Sequence, residues 1–154
     1  MTPRRAQGEY DWSALLRLIR ESFAYMDARI DPPSSMHRLT AAEVAEQAAS
    51  GEVWVVEAEG VPVGCVFLSV KPGRLYLGKL AVAAAWRGRG LARQLVAAAE
   101  ARARALGLPV LELQSRVELV ENHATFRALG FVETGATAHP GYDRPTSLTF
   151  QKRL

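Results

Sequence analysis

With 154 residues, the chain has room for one domain with a substantial core and little for two. Its net charge of +3 comes almost entirely from arginine, with only three lysines, and no Lys/Arg run interleaves with aromatics, so a nucleic acid partner is not expected. The single Cys65 excludes an internal disulfide and any cysteine zinc site. The polar first residues and short apolar runs lead us to expect neither a leader nor a membrane span, and a cytoplasmic, reducing setting.

Taken in order, residues 2–5 read as a short strand. Asp11 then precedes an amphipathic helix to about 26, with Leu15, Leu18, Ile19 and Ser22-Phe23 on one face. Pro32-Pro33 prevents a continuous helix over 27–39. Thr40-Ala41-Ala42-Glu43 has the spacing of a capping box, which predicts a helix over 40–50. Three strands follow at 53–58, 62–70 and 75–82, separated by the turns Glu59-Gly60 and Lys71-Pro72-Gly73. Short connections make them an antiparallel meander.

A helix over 91–106 is predicted, with Leu91, Leu95, Ala98, Ala99 and Leu106 toward the sheet and Glu100 and Arg104 as an i,i+4 pair. Gly107 and Pro109 stop it. The strand over 110–114 follows a crossover helix and should lie parallel to the strand before it. A short helix over 122–129 opens on Asn122 and stops at Gly130. Strands over 131–138 and 146–152 close the chain, joined by the loop 139–145.

The stretch 86–92 carries the clearest chemistry. A strand delivers the run Arg87-Gly88-Arg89-Gly90 into the helix start Leu91-Ala92. The first N–H groups of a helix lack partners, and the helix dipole adds positive charge there. Glycines let backbone curl around a phosphate, and arginines add bidentate charge. The spacing is neither Gly-x-x-x-x-Gly-Lys-Ser/Thr nor Gly-x-Gly-x-x-Gly. It is Arg-x-x-Gly-x-Ala.

That hexapeptide resembles the pyrophosphate signature of the general-control-related N-acetyltransferase superfamily (GNAT), Gln/Arg-x-x-Gly-x-Gly/Ala. Phe126-Arg127-Ala128-Leu129-Gly130-Phe131 is similar to the family's closing Tyr-x-x-Leu-Gly-Phe. The element order matches over essentially the whole chain. The resemblance implies one α/β (α+β) domain over 1–154: a mixed, mostly antiparallel sheet of six to seven strands with a splayed parallel pair, flanked by about four helices. It implies acetyl-CoA as co-substrate, no metal, and direct transfer to a primary amine of a small molecule or peptide in a ternary complex. By position, the pantetheine arm would lie on the backbone of Leu80, Ala81 and Val82, and beside Asn122 and Phe126. The pyrophosphate would lie on the N–H groups from Arg87 to Ala92. An N–H near Leu80 would polarise the thioester carbonyl. It also implies that the 146–152 strand can pair with a second copy, giving a homodimer.

One departure matters. Phe126 stands where many members have a tyrosine proposed to protonate the leaving thiolate. A CoA thiol, with a pKa near the cysteine value of about 8.5, needs little help. Tyr142 and Ser115 are the candidate proton donors. The loss also motivates an alternative: an acyl-CoA-binding sensor with weak or no catalysis.

The acceptor amine must be neutral to attack. At pH 7 that costs roughly 4–5 kcal/mol for a lysine-like amine and about 1 kcal/mol for an α-amino group near 8. Strand alternation puts Glu112 and Gln114 on the face opposite Leu111 and Leu113. A polar pair on a central strand fits a wet gap, which makes Glu112 the candidate base; Glu52 is a weaker one. His37 falls where the family borders its acceptor pocket. His123 is expected to face solvent, His139 to be loop structure and Cys65 to be an inert core thiol.

Overall fold

Alternation along the strands decides how the layers form. On β2 (Glu52–Ala58), Val53 and Val55 face one side of the sheet, and Trp54 and Val56 face the other. β3 (Val61–Lys71) repeats this with Cys65 and Phe67 against Val66 and Leu68. Both faces are apolar, so both must be covered. The computed structural model, which describes residues 1–154, shows how. Helices α1 (Trp12–Ala24) and α2 (Ala41–Ser50) pack on the Val53 side. Helix α3 (Leu91–Ala105) packs on the Val56 side.

The sheet has seven strands. The others are β1 (Arg4–Ala6), β4 (Arg74–Val82), β5 (Val110–Arg116), β6 (Val132–Thr137) and β7 (Ser147–Arg153). Their order is β1-β2-β3-β4-β5-β7-β6, and only β4–β5 is parallel. A fourth helix, α4 (Val120–Ala128), lies between β5 and β6 in the chain. Single 3-10 turns occupy Ser35–Arg38 and Ala84–Trp86. No helix is long and apolar enough to cross a membrane.

The predicted helix starts hold where a side chain makes them. Asp11 accepts from the Ala14 N–H at 3.0 Å, and the Thr40–Glu43 capping box closes in both directions. α4 differs. It begins at Val120 after an uncapped Leu119, so Asn122 lies inside its first turn and its side chain is free for another use. Leu106, expected on the sheet side, is 42% exposed because α3 ends before it.

Two further expectations are corrected. β7 pairs with β5 on one side and β6 on the other, so its backbone offers no edge to a second copy; the free edges are β1 and β6. His123 is buried rather than solvated. Its Nε2 lies 2.9 Å from the Arg116 carbonyl, and its ring is 5.5 Å from Phe150.

Candidate active site

β4 and β5 pair across only three registers: Leu75 with Leu111, Tyr76 with Glu112 and Leu77 with Leu113. Beyond Leu77 the strands part. The cause lies on the other edge of β4. Cys65 pairs with Ala81 and Phe67 with Gly78, so Val66 alone faces both Lys79 and Leu80. Such a bulge bends its strand and increases its twist. Lys79 has φ of 51°, a left-handed conformation that costs a side-chain-bearing residue about 1–2 kcal/mol. Three contacts hold it there. Its Nζ donates to Gln47 Oε1 on α2 at 2.8 Å and sits 5.1 Å over the Phe67 ring. Its carbonyl accepts from the Cys65 thiol at 3.4 Å. Burial pushes that thiol up to about 12, so it is not a nucleophile near neutral pH.

β4 runs on through the Ala84–Trp86 turn into the arginine–glycine run. Gly88 and Gly90 have φ of 76° and 80°, where a side chain would be strained. Gly90 caps α3 with no side-chain bond. No backbone N–H from Gly88 through Arg93 donates to a backbone carbonyl. Six consecutive donors in a turn that opens a helix make an anion-binding concavity. Arg87 lies 4.8 Å over the Tyr25 ring and Arg89 4.5 Å over Trp86, and neither forms an ion pair with a carboxylate.

From this arc a groove of about 140 Å³ follows the open edge of β4. One wall is Leu80, Ala81 and Val82, with Arg87 and Ala92 at the upper end; Asn122 and Phe126 of α4 form the other wall. The structure thus brings seven of the eleven expected cofactor-binding residues to one groove. Gly88, Arg89 and Gly90 belong to the arc. The Leu91 side chain is buried beneath it, 4% exposed, and only its N–H faces that turn.

The groove leads into a cavity of about 300 Å³ between the parted strands, and Phe23, Met26, Leu80, Asn122 and Phe126 line both. Gly78–Leu80 and Gln114–Arg116 form its sides. The segment after α1 closes it with Ile30 and Met36. Long-range bonds pin that segment. Arg116 donates to the Pro32 carbonyl at 2.7 Å, Tyr142 Oη donates to Asp31 Oδ1 at 2.6 Å, and Arg144 reaches Asp31 Oδ2 at 3.1 Å.

These contacts separate the expected catalytic residues from the cavity. Glu112 is on the correct face, but the parallel pairing continues through Leu113, so the wall opens only past it. Its carboxylate accepts from Arg74 Nε at 2.9 Å and Gln151 Nε2 at 2.7 Å, and it does not line the cavity. Tyr142 serves as a clasp. Its bond to Asp31 raises its pKa and commits its proton to that carboxylate. Glu52 is tied to Arg102 at 2.7 Å beside α3. His37 is exposed, 3.4 Å from Asp27, and does not line the cavity.

The cavity instead presents His139 and Ser115. The His139 ring packs Nδ1 on the hydroxyl of the fully buried Thr146, and its own N–H donates to that oxygen at 2.9 Å. Its Nε2 has no protein partner. Burial, and then the Arg116 charge, lower its pKa below the ordinary 6.5, with Glu118 opposing. In the sequence it reads as turn material because Pro140 and Gly141 follow it. Only the pairing of β6 with β7, which sets His139 beside Thr146, gives it a site.

Comparison with known proteins agrees with this architecture. PaiA N-acetyltransferase from Thermoplasma acidophilum, solved in complex with coenzyme A, superposes over 100% of both chains with a TM-score of 0.80 at 13% identity. Ribosomal-protein-alanine N-acetyltransferase from Brucella melitensis does so over 100% of both with 0.74 at 24% identity. Aminoglycoside N(6')-acetyltransferase type 1 from Stenotrophomonas maltophilia is 49% identical over 49 residues, 32% of each chain, so the match spans about a third of that relative's length. The model of the acetyltransferase (GNAT) family matches residues 12–131. Fold, parted strands and family match converge: the chain belongs to the acetyltransferase (GNAT) family.

Proposed function

We propose that the chain works in the cytoplasm as an N-acetyltransferase, passing an acetyl group from acetyl-CoA to the primary amine of a small acceptor by direct attack. One observation carries this reading. A continuous path runs from the six unbonded N–H groups at 88–93, along the open edge of β4, into the cavity where β4 and β5 part. That path fits a pyrophosphate, a pantetheine arm and a thioester in sequence, and the coenzyme A complex of PaiA from Thermoplasma acidophilum supports the assignment.

Each role follows from chemistry. The arc and Arg87 and Arg89 hold the pyrophosphate. Leu80, Ala81 and Val82 give strand backbone to the pantetheine amides, and Asn122 supplies a side-chain amide opposite. Phe126 packs against Phe131 and Phe150 at 6.2 and 6.0 Å between centroids and shapes the wall rather than donating a proton. The N–H at the bulge polarises the thioester carbonyl. His139, with its proton on Nδ1 toward Thr146, offers Nε2 as the base in place of Glu112. The acceptor nitrogen bonds to the acetyl carbon, the C–S bond breaks, and His139 takes the amine proton. The thiolate is protonated by water or by Ser115.

The test pairs calorimetric titration with CoA and thiol release from acetyl-CoA over a panel of amines. Binding with turnover is the expected result. Binding without thiol release on any amine favours the sensor reading that Phe126 motivates. Absence of CoA binding overturns both.

A further inference from the structure

The charges around the cavity point to the acceptor. No aspartate or glutamate lines it. A polycationic acceptor needs carboxylates to replace the water around each ammonium, and none is present. The cations there are Arg116 and Lys79. Lys79 is occupied by Gln47 and Phe67. Arg116 is half-buried and forms no ion pair. Its two protein acceptors are the neutral carbonyls of Pro32 and Pro33, at 2.7 and 3.4 Å, which leaves donors of the guanidinium unfilled. Glu118, the nearest acid in sequence, accepts from the Asp31 N–H at 3.2 Å instead. A partly buried cation without an anion calls for one from the ligand. Phe23, Met26, Ile30, Met36 and Leu119 give the closing wall an apolar, adaptable stretch beside Ser34 and Ser35.

We infer that the acceptor is a free α-amino acid with an apolar side chain, its carboxylate on Arg116 and its side chain among Phe23, Met26 and Met36. This rests on the acetyltransferase reading above and narrows it. The α-amino nitrogen bonds to the acetyl carbon, CoA leaves with the C–S electron pair, and the amine proton passes to His139. A cavity of about 300 Å³, at the small end for ligand sites, suits such an acceptor beside the thioester better than a peptide tail.

The experiment compares kcat/KM for L-methionine, L-leucine and L-phenylalanine with their amides, a methionyl dipeptide and kanamycin. The free acids should exceed the amides by about tenfold or more, the worth of a charge-assisted contact. Arg116→Gln should raise KM for the acids by about tenfold more than for the amides, which lose only the proline contacts, and Arg116→Lys should recover part of that difference. Equal rates on acids and amides, or preference for the dipeptide or kanamycin, overturns the inference. So does an Arg116→Gln effect of equal size on acids and amides, which is what loss of the proline contacts alone would give. The wild-type comparison stands even where the variant folds poorly. CoA binding by calorimetry separates the two proposals: binding with turnover on other amines sinks only the amino acid, and no binding sinks the acetyltransferase reading.

Discussion

At the scale of single residues, the site depends on which side chains the fold leaves unoccupied. Glu112 and Tyr142 have the right chemistry and satisfied partners; His139 has a free nitrogen on the cavity. Replacing His139 with Gln should lower kcat by about 10²–10⁴, the usual contribution of a positioned base, with CoA affinity unchanged. The pH profile gives the sign. A His139 base works when neutral, and its pKa lies below 6.5, so its protonation should lower the rate only below neutrality, while deprotonation of the acceptor amine raises the rate from neutrality upward. Log kcat against pH should lose that acid bend in His139→Gln. Tyr142→Phe distinguishes clasp from proton donor. Loss of the bond to Asp31 should raise the acceptor KM by roughly fivefold, with kcat nearly unchanged. A large fall in kcat with constant KM would restore Tyr142 to catalysis. None of this was readable from residue identity, because Arg74, Gln151 and Asp31 lie 30 or more residues from their partners, as the separation of 38 for Arg74 and Glu112 illustrates.

At the scale of elements, the local rules worked where the cause was local. Thr40 and Glu43 are three residues apart and satisfy each other, so the start of α2 was legible. Thr40→Ala should cost about 1 kcal/mol, seen as a lower denaturant midpoint at constant m-value, with CoA affinity unchanged because no α2 residue lines the groove. α4 lacks such a signal, since Leu119 cannot cap, and it starts two residues before Asn122, where the sequence pattern opens the helix. The loop into α3 was legible because glycine spacing reports backbone conformation directly. Gly90→Ala should meet no steric neighbour yet force a side chain into φ of 80°, a strain of about 1–2 kcal/mol. The arc would relax to escape it, so CoA affinity should drop by about tenfold while acceptor KM changes little. Equal affinity in Gly90→Ala would show that the ligand does not need this turn.

At the scale of the whole molecule, the order of elements was legible and the cavity was not. Seven strands and their sequence follow from alternation and turns, but where β4 leaves β5 is set by the bulge opposite Val66. Lys79 in that bulge is held in part by reaching Gln47, a contact between elements far apart in the chain, and no periodicity encodes it. Charge distribution is the global property that the sequence does carry. Between Ala83 and Ala99 there are three arginines and no acidic residue, on a chain whose net charge is only +3. The arc is therefore a local positive field on a nearly balanced molecule. Arg87, Arg89 and Arg93 are exposed, so their attraction for phosphates acts partly through solvent and is screened over about 10 Å at 0.1 M salt. The backbone N–H groups act at contact distance and are screened far less. CoA affinity should thus fall as salt rises and then level off at the part held by the arc. CoA lacking its 3′-phosphate should show a shallower dependence, because it presents less charge to the same field. Arg93→Gln should flatten the salt dependence further and weaken binding at low salt by a few-fold, on the order of 1 kcal/mol or less. At high salt the variant and the parent should converge. Titrations across a salt series would decide the matter: curves that stay parallel would place Arg93 outside the field that CoA senses.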